Sequence, residues 1–208
     1  MFSYRANFDL LLIIISGIIG YFGLSSIPRF TTMVMTVPIL WCLASSRRIA
    51  FATMFAYFLS VSRGLLPGAA VFLSENHTFI QAVAIYLIMP LGVALPFFVF
   101  WRREEKGKSI GLTLAFLTSF ALPPISLIGI VNPLMAAGTV FRGFGYLGMG
   151  ITLLLWALSA ISKRIACVFL CVIVAFTILP NDNWYISPQP EGFIAACQAT
   201  RGIDPLAT

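Results

Sequence analysis

Long apolar stretches separated by short polar breaks run through this chain, and each stretch has the length of a helix rather than a strand. The first extends from Phe8 to Leu24, with its most apolar part at Leu10 to Ile19. Phe30 to Ala44 and Ile49 to Leu65 follow, and the former is short against the ~20 residues of a full bilayer crossing. A tight hairpin of two helices is expected there, with Arg29 reaching the interface at one end and Ser45 to Arg48 closing the other. Ser62-Arg63-Gly64-Leu65-Leu66-Pro67-Gly68 breaks the pattern, because Gly and Pro at that density stop regular structure. The apolar run Leu65 to Leu73 reads as a re-entrant or interfacial loop, ending in the polar turn Ser74-Glu75-Asn76-His77-Thr78.

Phe79 to Trp101 is a full-length crossing in which Pro90 and Pro96 are tolerated, since neighbouring helices can satisfy the freed carbonyls. Ile110 to Val140 is too long for one helix. Pro123-Pro124 and Asn132-Pro133 divide it, leaving Ile110 to Leu122 as helix and an irregular apolar segment up to Phe141-Arg142-Gly143. Phe144 to Ile161 and Ile165 to Leu179 complete the series. The expected fold class is all-α: a polytopic transmembrane helical bundle of about seven helices with irregular outer-face segments.

Composition agrees: 60% of the 208 residues are apolar, 10% are charged, and the mean hydropathy is +0.97, more apolar surface than a soluble domain of this size can bury. Charge then orients the bundle. Arg5, Arg47, Arg48, Arg102, Arg103, Lys106, Lys108, Lys163 and Arg164 fall on one side of the alternating breaks, and only Arg29, Arg63, Arg142 and Arg201 on the other. Cytoplasmic loops retain Lys and Arg, so the N-terminus is placed in the cytoplasm and the C-terminus outside. Residues 1–180 form the transmembrane helical domain and 181–208 an extracytoplasmic tail. The first segment is taken as an uncleaved helix, because no small-x-small cleavage site follows it.

The net charge of +6 does not point to nucleic acid, since the basic residues sit at helix ends rather than in one stripe. Cys42, Cys167 and Cys171 lie in apolar segments as small hydrophobes, and the Cys167/Cys171 pair lacks a His or acidic partner for a metal. His77, the single histidine, is a surface residue without a ligand cluster. Gly145, Gly148 and Gly150 follow no strand and serve helix packing rather than phosphate binding. No cofactor and no metal are expected.

Arg63 and Arg142 stand out because both lie in Gly-bearing breaks on the side where basic residues are disfavoured. An Arg held there contacts lipid phosphate, pairs with Glu75 or docks a partner, or else anchors the helix end at the interface. Asn132, before Pro133 in an apolar setting, needs hydrogen-bond partners and fits helix breaking, capping or substrate contact. Arg63, Arg142, Asn132 and Glu75 are therefore the candidate lipid or partner contacts, and no catalytic residue is assigned.

Tyr57-Phe58-Leu59-Ser60-Val61-Ser62-Arg63-Gly64-Leu65-Leu66-Pro67-Gly68-Ala69-Ala70 resembles the conjugal transfer protein TraB family. A second matching block runs from Leu122-Pro123-Pro124-Ile125-Ser126 through Asn132-Pro133 to Gly138, and continues through Phe141-Arg142-Gly143-Phe144-Gly145-Tyr146-Leu147-Gly148. The resemblance covers roughly residues 8 to 200. It implies a layout similar to apolipoprotein N-acyltransferase, in which a multi-helix membrane domain precedes an extracytoplasmic nitrilase domain. Pro188-Gln189-Pro190-Glu191-Gly192-Phe193 looks like the entry into that domain. Its Glu, Lys and Cys triad has no counterpart before Thr208: Glu191 and Cys197 are present, but the tail contains no Lys.

The expected function is an anchoring or accessory role in conjugative plasmid transfer at the bacterial inner membrane, without catalysis by this chain alone. The expected partners are membrane lipids and either conjugative transfer proteins or a separate nitrilase-like chain. Two alternatives stand beside it: the membrane half of an amidase or N-acyltransferase-like enzyme, and a small transporter of a neutral or lipidic substrate. Ion transport is disfavoured, because no charge is expected near the centre of a segment.

Overall fold

Each of the seven apolar segments is helical in the computed structural model, which describes residues 2–23, 28–66, 79–121, 132–141 and 143–178. In chain order the helices are α1 (Phe2–Gly23), α2 (Pro28–Met33), α3 (Val37–Leu43), α4 (Arg47–Val61), α5 (Phe79–Val99), α6 (Glu105–Ala121), α7 (Ala137–Val140), α8 (Tyr146–Ile161) and α9 (Lys163–Ile178). No strand occurs among the described residues, all of which lie within the unit Met1–Ile178. Apart from Leu65 and Leu66, which are helical, the expected re-entrant loop lies outside the described residues, as do Glu75, His77, Pro123-Pro124, Arg142 and the tail 181–208.

Local chemistry explains the irregular points. Pro38 has no N–H for the Val34 carbonyl, so the Val37 N–H bonds there instead and Val34–Thr36 tighten into a 3-10 turn joining α2 to α3. Ser46 caps α4, its hydroxyl accepting from the Ile49 N–H. Gly143 and Gly145 adopt φ of 81° and 52°, a region that a side chain disfavours, and Gly145 leads into α8. One expectation is corrected: α6 begins at Glu105 rather than Ile110. The acidic Glu105 in its first turn suits the positive end of the helix, so the charged stretch continues as helix.

The helices close into a ring. α1 packs on α4, α4 on α5, α5 on α6, α6 on α8, α8 on α9, α9 on α2, and α2 returns to α1. α3 lies inside it, against α1, α4 and α8, with Val37, Pro38, Ile39, Leu40 and Trp41 all buried. This interior position of α3 is not revealed by the sequence alone.

Aromatic rings fill the centre. Phe97 lies 4.8 Å from Phe116, edge to face, and Phe116 stacks on Trp156 at 4.6 Å. Both central indoles are satisfied by backbone carbonyls: Trp41 Nε1 donates to Phe97 O at 3.1 Å and Trp156 Nε1 to Met35 O at 2.9 Å. α1 and α4 approach closely, because Gly20 presents no side chain and a Cβ there would lie 2.5 Å from the Tyr57 carbonyl. Beside it, the Ser16 hydroxyl donates to Thr53 O at 2.8 Å.

Outward faces are apolar. Leu10, Ile14 and Ile18 of α1, and Leu154, Leu158 and Ile161 of α8, are exposed at helical spacing. Along that same stretch of α1, the polar residues Asp9 and Ser16 point the other way and are buried. Two helical stretches, Tyr4–Gly23 and Phe79–Val99, are long and apolar enough to cross a membrane, and Phe30–Leu43 and Tyr146–Ile161 are shorter apolar ones.

Candidate functional site

Two of the four expected contact residues are described, and both are engaged by the fold. Arg63 follows the last turn of α4, where its guanidinium donates to the Tyr21 carbonyl and lies 4.2 Å from the centre of the Tyr21 ring. Tyr21 belongs to the last turn of α1, whose carbonyls lack partners within the helix, so Arg63 acts as a cap in trans. Asn132 is buried and precedes the 3-10 turn Pro133–Ala136. Its Oδ1 accepts from the Leu134 N–H at 3.0 Å, and its Nδ2 donates to the Ser119 hydroxyl at 3.1 Å. Asn132 thereby ties the irregular segment to α6. The structure does not bring Arg63 and Asn132 together.

A second cluster, which the sequence reading missed, lies about 18 Å along α1 from Tyr21, at 1.5 Å per residue. Asp9 lies in the first half of α1 and is only 8% exposed. The Ser45 hydroxyl, just beyond α3, donates to Asp9 Oδ2 at 2.5 Å. The other carboxylate oxygen, Oδ1, is buried and has no partner among the described residues. Trp101, beyond the end of α5, is likewise 8% exposed, and its buried Nε1–H is also without a partner among the described residues. Lys108, in the first turns of α6, donates to Cys42 O at 2.6 Å and lies 5.6 Å from the centre of the Trp101 ring. The Cys42 carbonyl is one of the unpaired acceptors at the end of α3, where a cation is favoured.

These groups line one cavity of about 340 Å³, together with Arg5, Arg103 and the apolar Phe8 and Leu43. The volume is within the roughly 300–1,000 Å³ of small-molecule sites. Among the described residues, neither Arg5 nor Arg103 has a hydrogen-bonding partner, and both are exposed. Two other basic residues at this end are engaged. Arg102 donates to the carbonyls of Val99 and Trp101 at 3.2 Å, and the Arg47 guanidinium sits 5.6 Å from the centre of the Phe98 ring. A second cavity, of about 350 Å³, is lined by Met35, Leu155, Phe169 and Ile173 among others. It offers apolar space but little chemistry.

Two curated proteins align with most of the chain. It is 33% identical over 153 residues to the conjugal transfer protein TraB of Agrobacterium fabrum, an alignment covering 68% of this chain and 36% of that protein. It is 29% identical over 191 residues to a probable conjugal transfer protein TraB of Sinorhizobium fredii, covering 88% of this chain and 46% of that one. The chain therefore spans less than half the length of these relatives. No family model matches it, and no solved structure does.

Proposed function

This chain belongs to the conjugal transfer protein TraB family, and from that kinship we propose that it acts in conjugative plasmid transfer as an integral protein of the bacterial inner membrane. Its role in this reading is to anchor or assist the transfer apparatus, without catalysis of its own. The seven helical segments cross the bilayer, with the N-terminus in the cytoplasm.

The distribution of polarity on α1 carries the membrane part of the reading. Leu10, Ile14 and Ile18 face outward while Asp9 and Ser16 face the bundle, the reverse of a helix on a water-soluble protein. Exposed apolar stripes of this extent drive aggregation in water and are stable against hydrocarbon. Buried hydroxyls support the same environment: Thr53, Thr152 and Ser159 each donate to a carbonyl one turn earlier in their own helix.

A second reading, which rests on the layout that the family resemblance implies, has this helical part serve an amidase-like catalytic domain carried elsewhere. Both readings are tested by deleting the coding sequence from the element that encodes it and measuring transfer frequency in matings. A drop restored by this chain alone supports an anchoring or accessory role. A drop restored only by a longer product that contains a hydrolase domain supports the second. Unchanged transfer contradicts both.

A further inference from the structure

We propose that the apolar cavity between α2, α7, α8 and α9 holds one acyl chain of an anionic phospholipid, whose headgroup lies beside Arg164. The inference rests on the membrane reading above, which supplies the lipid and places the start of α9 at the cytoplasmic leaflet.

The walls select hydrocarbon. Among the described lining residues only Thr32 is polar, and it is buried. A settled water needs about two to four polar partners, and a polar ligand would leave its own groups unpaired there. Yet a space of about 350 Å³ is far larger than the voids of a packed interior, so an occupant restores contacts that the walls otherwise lack. A hydrocarbon chain meets both conditions.

The cavity opens sideways rather than toward water. Ile165, Val168 and Val172 line it and are 37%, 63% and 45% exposed, so it is reached through the outward apolar face of α9, the face that meets the bilayer. Behind this rim, Leu155 and Phe141 are half-buried. The lining on α9 runs from Ile165 to Ile173, about 12 Å along the helix at 1.5 Å per residue. One leaflet supplies roughly 15 Å of hydrocarbon, so the space suits a single chain lying along α9.

Charge sets which lipid. Arg164 is exposed, has no hydrogen-bonding partner among the described residues, and precedes Val168 by one turn, so the two are neighbours on the helix surface. A phosphate at the cytoplasmic end of the rim therefore meets the guanidinium. A headgroup with net negative charge gains from that contact, whereas phosphatidylcholine brings its own cation to the same place.

The test is photolabelling of the full chain in dioleoyl phosphatidylcholine vesicles, with trace phosphatidylglycerol or phosphatidylcholine carrying a diazirine on one chain, and the labelled residues mapped by mass spectrometry. Phosphatidylglycerol is expected to label Leu155 and Phe141 behind the rim as well as Leu10 and Ile14 on the outward face of α1. Val168→Trp, at an exposed position where folding is not at stake, closes the mouth and is expected to abolish labelling of Leu155 and Phe141 while that of Leu10 and Ile14 persists. Arg164→Gln, also exposed, is expected to weaken labelling of Leu155 by phosphatidylglycerol about two- to fivefold, the worth of a surface charge pair, and to leave that by phosphatidylcholine unchanged. Labelled Leu10 and Ile14 with unlabelled Leu155 and Phe141, or labelling of those two that survives Val168→Trp, would overturn the proposal and leave the membrane reading standing. Unlabelled Leu10 and Ile14 would instead count against the membrane reading itself. Equal labelling of Leu155 by the two lipids would overturn the role of Arg164. A wild-type dimer that Val168→Trp dissociates would assign the cavity to a second copy of the chain and also overturn the proposal.

Discussion

Ser45 and Asp9, 36 residues apart in sequence, are joined by a 2.5 Å hydrogen bond that fixes α1 to the end of the central helix α3. A hydroxyl bonded to a buried carboxylate contributes more than one exposed to water, about 1.5–3 kcal/mol. Ser45→Ala is therefore expected to destabilise the bundle by about that amount, read as a lowered melting temperature in detergent. In a double-mutant cycle with Asp9→Asn the two losses should not add, because both act on one bond.

The α1–α4 contact gives a paired test. A Cβ at Gly20 meets the Tyr57 carbonyl at 2.5 Å, whereas one at Gly17 has nothing closer than 3.5 Å. Gly20→Ala should cost about 1–3 kcal/mol as the helices separate. Gly17→Ala should be neutral or slightly stabilising, since Ala gains up to about 1 kcal/mol of helix propensity over Gly. Chemical unfolding in micelles distinguishes the two.

Trp156 combines packing with a hydrogen bond. It stacks on Phe116 and donates to Met35 O. Trp156→Phe retains much of the packing and should cost about 1–3 kcal/mol through the carbonyl left unsatisfied. Trp156→Ala should cost about 3–5 kcal/mol, the penalty of a large cavity in a packed core. Near-ultraviolet circular dichroism reports the accompanying loss of fixed aromatic packing.

Arg63 is held through both charge and shape. Arg63→Lys keeps the charge but loses the planar group over the Tyr21 ring, and a loss of about 0.5–1 kcal/mol is expected. Arg63→Ala also removes the donor to the Tyr21 carbonyl and should cost more, with faster hydrogen exchange at the end of α1.

The helices were legible because apolar length and Gly/Pro punctuation are local properties. Pro38 and Ser46 act where the chain passes them, and their effects can be read a few residues away. The central place of α3 was not legible, because nothing local in its segment shows that α1, α4 and α8 pack around it. The polar cavity was missed for a similar reason. Asp9 sits at the edge of the first apolar segment, and its partner Ser45 and cavity neighbours Trp101 and Lys108 come from segments far along the chain. A usable signal was present all the same, because an acidic residue beside Leu10 to Ile19 must be paired or hydrogen-bonded to be buried.

The account depends most on the outward apolar faces meeting lipid, with the two ends of the helices on opposite sides of a bilayer. Single cysteines at Lys106 and Gly64, in an otherwise cysteine-free chain, test this with a membrane-impermeant maleimide on intact cells. Gly64→Cys should be labelled from outside, while Lys106→Cys should react only after the cells are broken. Labelling of both positions from the same side, or recovery of the chain in the soluble fraction after carbonate extraction, would contradict it.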